Sequence, residues 1–222
     1  MAGPLGEIFA MARERRIPVQ KVDRQRLGKF VPETSHQGVV ALAASKEYVD
    51  VEDILAGINP EEAPFLIILD QIHDPRNLGA ILRTADCSGV HGVVIPRRRS
   101  VPLTPAVSKA SAGAIEYVPV ARVTNIVQTV EFLKEKGLWI VGADADGEEI
   151  YWDARLDCPL ALVIGGEDKG LGRLVKERCD VLVRLPMSGL VNSLNASVAA
   201  ALLAYEVVRQ RRKALHEGVS GN

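Results

Sequence analysis

The sequence predicts an α/β protein in which a parallel β-sheet is covered by helices on both faces. Segments such as 65–69 and 160–164 are apolar at every position, which is typical of strands that are buried on both faces. Helical segments separate these strands, and strands that alternate with helices form parallel sheets. Apolar residues make up 47% of the 222 residues, so the chain can bury a core of this kind.

The amino-terminal part predicts a small α/β unit of its own. Apolar residues at helical spacing, Leu5, Ile8 and Phe9 among them, indicate a first helix that Pro18 ends. The elements expected here are a helix over 5–16, a short strand over 19–22, a short helix over 24–30 and a buried strand over 38–44.

The larger α/β unit begins at Pro64, where the pattern changes. The strands expected in it are 65–69, 93–95, 139–141, 160–164 and 181–183. The helices expected between and after them lie near 77–88, 105–112, 123–136, 172–178 and 194–213.

The domain boundaries follow from composition. The residues before Pro64 are polar and acidic and include Gly57, Asn59 and Pro60, which favours a linker. We therefore expect a small domain over 1–48, a linker over 49–63, a large domain over 64–213 and a polar tail over 214–222.

Charge, cysteine content and hydropathy limit the possible functions. The 27 basic and 28 acidic residues leave a net charge of −1, so nucleic-acid binding would have to use local basic patches. We interpret Cys87, Cys158 and Cys179 as reduced core thiols rather than metal or redox ligands. No apolar run is long enough to cross a membrane, and the first residues do not resemble a signal peptide. We expect a cytoplasmic protein that binds no metal.

Ligands of open parallel sheets bind beyond the carboxyl ends of the strands, and three segments there carry unusual residues. The first corner, 70–85, contains Asn77, where an asparagine would cap a helix, and Arg83 within that helix. Arg83 is either a solvated helix residue or a phosphate clamp, since its fork suits phosphate oxygens. The residues alone leave both interpretations open.

The second corner, 165–172, is rich in glycine and follows strand 160–164. Neither the P-loop motif nor the dinucleotide-binding motif is complete in it, and Glu167 and Asp168 would repel a pyrophosphate. The corner therefore suits either a positively charged ligand that approaches bare backbone, or a tight turn followed by a helix cap.

The third corner, 185–197, consists of small and polar residues after the last long strand. Pro186 ends that strand, and Ser193 or Asn195 caps the helix that follows. Asn192 and Ser197 could also cap a helix, whereas one helix needs only one capping residue. The segment is therefore either a redundantly capped helix or a functional loop.

Together the three corners resemble the SpoU/TrmH branch of the SPOUT RNA methyltransferases. The segment from Asn77 to Arg83-Thr84-Ala85 matches the first motif, Ile164-Gly-Gly-Glu167 through Gly170-Leu171 the second, and Leu185-Pro186-Met187 through Ser193-Leu194-Asn195-Ala196-Ser197 the third. Their order and spacing agree over 64–213. Ser35-His36-Gln37-Gly38-Val39-Val40-Ala41 also resembles the end of the small ribosomal-protein-L30-like domain of the 23S ribosomal RNA guanosine methyltransferases.

The resemblance implies a SPOUT-type parallel sheet with a deep trefoil knot, preceded by a small L30e-like domain that binds the RNA substrate. It further implies S-adenosylmethionine as methyl donor, an obligate homodimer, and 2′-O-methylation of a ribose in RNA. The resemblance of the small domain to the 23S ribosomal RNA guanosine methyltransferases implies a guanosine of 23S ribosomal RNA as the target. Relatives begin with a further helix and strand before the point at which this chain starts. We therefore expect a small domain that lacks this edge, or a start that is assigned too late.

The resemblance also implies the roles of individual residues. The catalytic residues would be Arg83, Asn77, Glu167, Ser193 and Asn195. Arg83 would activate the ribose hydroxyl or position an RNA phosphate, and Asn77 would hold the first corner together. The cofactor-binding residues would be Gly165, Gly166, Leu185, Met187 and Leu194.

Basic residues at the same sheet edge are candidates for RNA contact. Arg97, Arg98 and Arg99 follow strand 93–95 and would either bind phosphates or serve solubility. His73 and His91 could be bases. Neither has a partner nearby in sequence, so we interpret them as loop or turn residues.

Other functions compete with this hypothesis. The target could be transfer RNA, or the chain could be a resistance-type ribosomal RNA methyltransferase. A non-catalytic ribosome-assembly protein with this fold would bind RNA without transferring a methyl group. An ordinary nucleotide-binding α/β enzyme is disfavoured by the two incomplete glycine motifs.

Overall fold

The computed structural model describes residues 3–31, 36–42, 46–166 and 169–219, and the chain divides into two compact units, Met1–Ala44 and Ser45–Asn222. In the first unit, α1 is Pro4–Glu14 and α2 is Arg24–Leu27. Asp23 caps α2 by accepting a hydrogen bond from the Arg26 amide at 2.7 Å.

The strands predicted in the first unit differ from the structure. Residues 19–22 and 38–42 are not strands, and residues 43 and 44 of the second prediction lie outside the described residues. Val19 and Leu42 have exposed side chains. A strand needs a hydrogen-bonded neighbour, and no described residue of this unit supplies one. The L30e-like architecture of this unit stays a prediction.

The second unit contains a seven-stranded sheet in the order β3-β2-β1-β6-β4-β7-β5. The strands are β1 Phe65–Asp70, β2 Gly92–Pro96, β3 Val120–Val123, β4 Trp139–Ala143, β5 Glu149–Ile150, β6 Leu160–Gly165 and β7 Val181–Arg184. Every neighbouring pair runs parallel, which confirms the predicted fold class. The knot stays a prediction.

The helices of this unit are α3 Val51–Ala56, α4 Pro75–Cys87, α5 Pro105–Ala110, α6 Ile126–Glu135, α7 Arg173–Lys176 and α8 Ala196–Val219. Alternate residues of β1 point to two cores. Phe65, Ile67 and Leu69 pack with residues of α4 and α8, whereas Leu66 and Ile68 pack with residues of α3 and α6. Helices therefore cover both faces of the sheet, as the apolar strands predicted.

Three elements differ from the sequence prediction for physical reasons. Helix α3 lies within the predicted linker, and its Val51 and Ile54 are buried in the core. Strand β3 was missed because Arg122 interrupts its apolar pattern. Strand β5 was missed because its two residues are too few to show a period.

The prediction that the three cysteines are core thiols holds only in part. Cys87 is exposed rather than in the core, while Cys158 and Cys179 are partly buried. Burial raises the pKa of both thiols, that of Cys179 to about 12, so these two are protonated at neutral pH. No metal-binding cluster occurs among the described residues, and no helix within them is long and apolar enough to cross a membrane.

Candidate active site

The three corners lie at one edge of the sheet because β1, β6 and β7 are parallel. β1 pairs directly with β6, and β4 stands between β6 and β7. The carboxyl ends of parallel strands meet at the same edge. The chain segments that follow these three strands therefore face one region.

The first and second corners are joined by Asp70, the last residue of β1. Its carbonyl oxygen accepts a hydrogen bond from the Gly166 amide at 2.8 Å. Its buried carboxylate accepts a second one, from the Gly172 amide at 2.7 Å. A hydrogen bond from a backbone amide to a carboxylate is strong, so Asp70 fixes the second corner at both of its ends.

The glycines of the second corner have a structural reason. A Cβ atom on Gly165 would lie 2.2 Å from the carbonyl carbon of Gly170, and one on Gly166 would lie 2.3 Å from the carbonyl oxygen of Gln71. Their missing side chains thus allow backbone to pack against backbone. Cofactor contact through the main chain of Gly165 and Gly166 stays a prediction. Glu167, the catalytic candidate of this corner, lies outside the described residues.

The first corner is capped by a residue other than the one predicted. Asp74 caps α4 by accepting a hydrogen bond from the Arg76 amide at 2.8 Å. The side-chain hydrogen bond from Arg76 lowers the pKa of Asp74. The prediction that Asn77 is the cap was wrong, because the helix begins at Pro75, two residues earlier.

Asn77 instead links the first corner to the third. It is buried within α4, and its Oδ1 accepts a hydrogen bond from Nδ2 of Asn195 at 3.0 Å. The Oδ1 of Asn195 accepts two others, from the Ser197 amide at 2.9 Å and the Ser197 hydroxyl at 2.6 Å. Asn195 therefore caps α8, as predicted, and holds Asn77 with its other end. An amide side chain can do both, because its nitrogen donates and its oxygen accepts.

Two other catalytic candidates are not joined to this pair by any contact among the described residues. Ser193 is exposed in the third corner. Arg83 is exposed on α4 and forms no hydrogen bond or ion pair with a described residue. It lies six positions after Asn77, and six positions on a helix place two side chains roughly 120° apart around the axis. Among the described residues of one chain, none occupies the Arg83 guanidinium, which is therefore available for a ligand.

The third corner exposes apolar side chains. Leu190 and Val191 are 106% and 72% exposed, and the cofactor candidates Met187 and Leu194 are 37% and 40% exposed. Leu185 is partly buried at the end of β7. Apolar groups that gather at a sheet edge are typical of a ligand site.

The predicted RNA-binding residues lie at the same edge. Arg97, Arg98 and Arg99 are exposed in the turn after β2. The next residues return to the first corner, where the Val101 amide donates to the carbonyl oxygen of Ile72 at 2.9 Å. The basic turn, residues 97–100, is therefore attached to the first corner.

The two histidines are loop residues, as predicted. His91 has a structural role, since its Nδ1 accepts a hydrogen bond from the Phe65 amide at 3.0 Å and its Nε2 lies 2.9 Å from Glu62. This places His91 at the start of β1, at the edge away from the corners. His73 is exposed in the first corner.

Sequence reasoning missed several residues that shape this edge. Asp70 could have been found as a lone charge that ends an apolar strand. Arg184, at the end of β7, donates to the carbonyl oxygens of Gly147 and Glu148 at 2.7 and 2.6 Å. It fixes the loop after β4 beside the third corner. No local pattern distinguishes this arginine from a solvated one.

Comparison with known proteins places these observations in a family. The model of the SpoU rRNA methylase family matches residues 64–205, and that of the RNA 2′-O ribose methyltransferase substrate-binding family matches 2–49. A protein of Bacillus subtilis, named as a TrmH family tRNA/rRNA methyltransferase, is 53% identical over 94% of this chain and 84% of its own length.

Two solved structures have the same fold. The SpoU methyltransferase AviRb from Streptomyces viridochromogenes, in complex with the cofactor AdoMet, has a TM-score of 0.69 at 29% identity, over 75% of this chain and 66% of its own. The TrmH/SpoU tRNA modifying enzyme of A. aeolicus has a TM-score of 0.62 at 26% identity, over 69% of this chain and 78% of its own.

The parallel sheet with its joined corners is that of an RNA methyltransferase. The chain belongs to the SpoU rRNA methylase family, which confirms the resemblance carried by the three motifs.

Proposed function

We propose that this chain methylates the 2′-oxygen of a ribose in RNA, a guanosine of 23S ribosomal RNA, with S-adenosylmethionine as donor. The observation that carries the proposal is the hydrogen bond between Asn77 and Asn195. It joins the first and third motifs of the family into one site. A helix that only needed a cap would not require it.

The residues at the edge suit the donor. Met187 and Leu194 offer apolar surface, and the partly buried Leu185 directly follows β7. The matched methyltransferase AviRb has been solved with AdoMet. When bound, S-adenosylmethionine would supply a methyl group activated by a positively charged sulfonium for transfer to the ribose oxygen.

The protein must position the ribose hydroxyl and take up its proton, because this hydroxyl is a weak acid and a weak nucleophile. Asn77 and Asn195 hold the first and third corners in register. Ser193 shapes the end of the third corner that faces the chemistry, and Glu167 orients polar groups there. The reaction then needs one group beside the hydroxyl that either withdraws the proton or aligns the RNA.

Arg83 is that group. A guanidinium is a poor base in water, so Arg83 acts with a phosphate of the RNA beside it. The phosphate either orients the arginine or itself accepts the proton. Both routes use an exposed guanidinium without a described partner, as Arg83 has here.

The choice of ribosomal RNA follows from the amino-terminal unit. A substrate-binding family matches residues 2–49, which include nearly all of this unit. Within it, His36-Gln37-Gly38-Val39 favours the ribosomal RNA guanosine group. The unit also carries a group of basic residues: Arg13, Arg15, Arg16, Lys21, Arg24, Arg26 and Lys29. Transfer RNA is the second candidate, because a matched relative is a tRNA modifying enzyme. Either substrate agrees with a cytoplasmic location, which stays a prediction.

A homodimer is proposed through α8. Val198, Leu202 and Tyr205 are exposed along one side of this helix. They line an open groove of about 520 Å³ together with Tyr151 and Ala201. An apolar stripe on a long helix is typical of an interface, and a second copy of the chain presents the same stripe to it.

The proposal is tested with labelled donor and total RNA from cells that lack the protein. We expect label in 23S ribosomal RNA, and mapping should locate one 2′-O-methylated guanosine. Label only in transfer RNA would contradict the proposed ribosomal substrate but agree with the proposed methyl transfer. No label in any RNA, from protein that binds RNA, would favour the non-catalytic ribosome-assembly function.

A further inference from the structure

We propose that Arg122 completes a phosphate-binding surface with the basic turn, and that Tyr48 positions it. The surface takes the sugar-phosphate backbone of the RNA next to the reacting ribose. This inference rests on the proposed function, since it names how the same site holds its substrate.

Arg122 and the turn hold one another. Arg122 lies on β3, which pairs with β2. Its Nη2 donates to the carbonyl oxygen of Arg97 at 3.1 Å, and Nε of Arg97 donates to the carbonyl oxygen of Arg122 at 3.4 Å. The Arg97 amide donates to the carbonyl oxygen of Val123 at 2.7 Å. The turn therefore has a fixed conformation before any ligand arrives.

The ring of Tyr48 packs against the guanidinium of Arg122. The guanidinium lies 5.2 Å from the centre of the Tyr48 ring, within the range of a cation–π contact. The ring itself is fixed, because its hydroxyl accepts a hydrogen bond from the Leu103 amide at 2.9 Å. A guanidinium that is already held loses less entropy when it binds a ligand.

The charge of this surface is not compensated. None of Arg97, Arg98, Arg99 and Arg122 forms an ion pair with a described carboxylate. Among described residues, Arg122 uses an Nη2 donor only, so its Nη1 group keeps both donors. Positive charges on neighbouring segments that form no ion pair with a described residue repel one another, which is unfavourable unless a polyanion binds.

The surface also lies where the substrate must be. The basic turn is followed by Val101, whose amide donates a hydrogen bond to the carbonyl oxygen of Ile72 in the first corner. The same corner carries Asp74 and Asn77. RNA phosphates on this surface would therefore flank a ribose at the proposed site.

The test compares two variants that each remove one positive charge. Arg122→Gln removes it from the surface. Arg178→Gln removes it before β7, at the opposite edge, where Arg178 pairs with Glu131. RNA affinity is measured with a fluorescein-labelled single-stranded RNA by anisotropy across a salt series, and donor binding by calorimetry.

We expect Arg122→Gln to weaken RNA binding roughly tenfold at low salt and to reduce the slope of log K against log salt by about 0.7, the value of one phosphate contact. Arg178→Gln should leave both unchanged. Donor affinity should match the wild type in both variants. Thermal unfolding checks that Arg122→Gln, which also loses the hydrogen bond to Arg97 and the contact with Tyr48, is still folded at the assay temperature. An unaltered affinity and slope in Arg122→Gln would overturn the proposal.

Tyr48 needs a pair of variants, since its loss could simply weaken the fold. Tyr48→Phe keeps the ring under Arg122 and loses only the hydrogen bond from the Leu103 amide, so it should bind RNA more tightly than Tyr48→Leu. Tyr48→Leu removes the ring and should weaken binding roughly two- to fivefold although no charge is lost. Equal affinity in the two variants would refute the positioning role. Methyl transfer is measured separately, so a wild-type protein that binds RNA but never methylates it would refute the proposed function and leave this surface standing.

Discussion

At the scale of single residues, the site depends on side chains that do two things at once. Asn195 caps α8 with its oxygen and holds Asn77 with its nitrogen. Asp70 likewise makes two hydrogen bonds, because its main-chain oxygen accepts from Gly166 and its carboxylate accepts from Gly172. Asn195 thus aligns the first corner with the third, and Asp70 aligns the first with the second.

The two roles of Asn195 can be separated. Asn195→Ala loses the cap and the bond to Asn77, so the free energy of unfolding should fall by about 1–2 kcal/mol. Asn195→Asp keeps the oxygen that caps α8 but loses the donor, so it should be less destabilised. Both variants should lose most methyl transfer. Denaturant unfolding and activity are measured in parallel, and an active Asn195→Asp enzyme would show that the link to Asn77 is dispensable.

Arg83 offers the opposite case, a residue without a described structural role. Because it is exposed and unpaired among the described residues, Arg83→Ala should change the free energy of unfolding by less than about 0.5 kcal/mol. We expect the variant to bind the donor in calorimetry as the wild type does, yet to transfer no methyl group. Weakened donor binding with residual activity would contradict the assignment of Arg83 to the ribose hydroxyl.

At the scale of elements, close helix packing supports the first corner. Gly79 of α4 faces α5, and a Cβ atom there would lie 2.4 Å from the Cβ of Ala110 and 2.9 Å from the Ser111 nitrogen. The glycine is therefore required for contact between the two helices. Gly79 lies two residues after Asn77 on α4, so this contact also fixes the position of the Asn77 side-chain amide in the site.

This packing predicts an unusual response to alanine. Alanine normally stabilises a helix interior over glycine by about 1 kcal/mol. Gly79→Ala should instead destabilise the protein by about 1–3 kcal/mol, because the overpacked backbone must shift. Gly57→Ala is the control, since its Cβ would lie 3.4 Å from the nearest atom, the Asp53 oxygen. Urea unfolding of both variants checks this, and a stabilised Gly79→Ala protein would rule out the tight contact.

At the scale of the whole molecule, the apolar stripe on α8 predicts the oligomeric state. Leu202→Glu would place an unpaired carboxylate in the proposed interface, which costs several kcal/mol. We expect the wild type to sediment with twice the mass of one chain, and the variant with the mass of one. Leu215→Glu is a matched control, because Leu215 is also exposed on α8 but lies on another side of the helix. A dimeric Leu202→Glu protein, or a monomeric wild type, would refute the interface.

The sequence by itself determined the class of fold and the family. The strands 65–69 and 160–164 were predictable because residues buried on both faces are apolar at every position, a local property. The order of three motifs was equally readable along the chain. A cap before the alanine-rich helix was also predictable, although the sequence left Ser193 and Asn195 both open for it.

Only the tertiary structure decided what the site residues touch. Asn77 and Asn195 are 118 positions apart, and no local pattern predicts a hydrogen bond over that separation. Gly165 and Gly166 proved to serve backbone packing against Gly170 and Gln71. Arg122 joined the basic turn because β3 pairs with β2. Such contacts depend on which strands become neighbours, and that order is set by the packing of the whole chain rather than by any one segment.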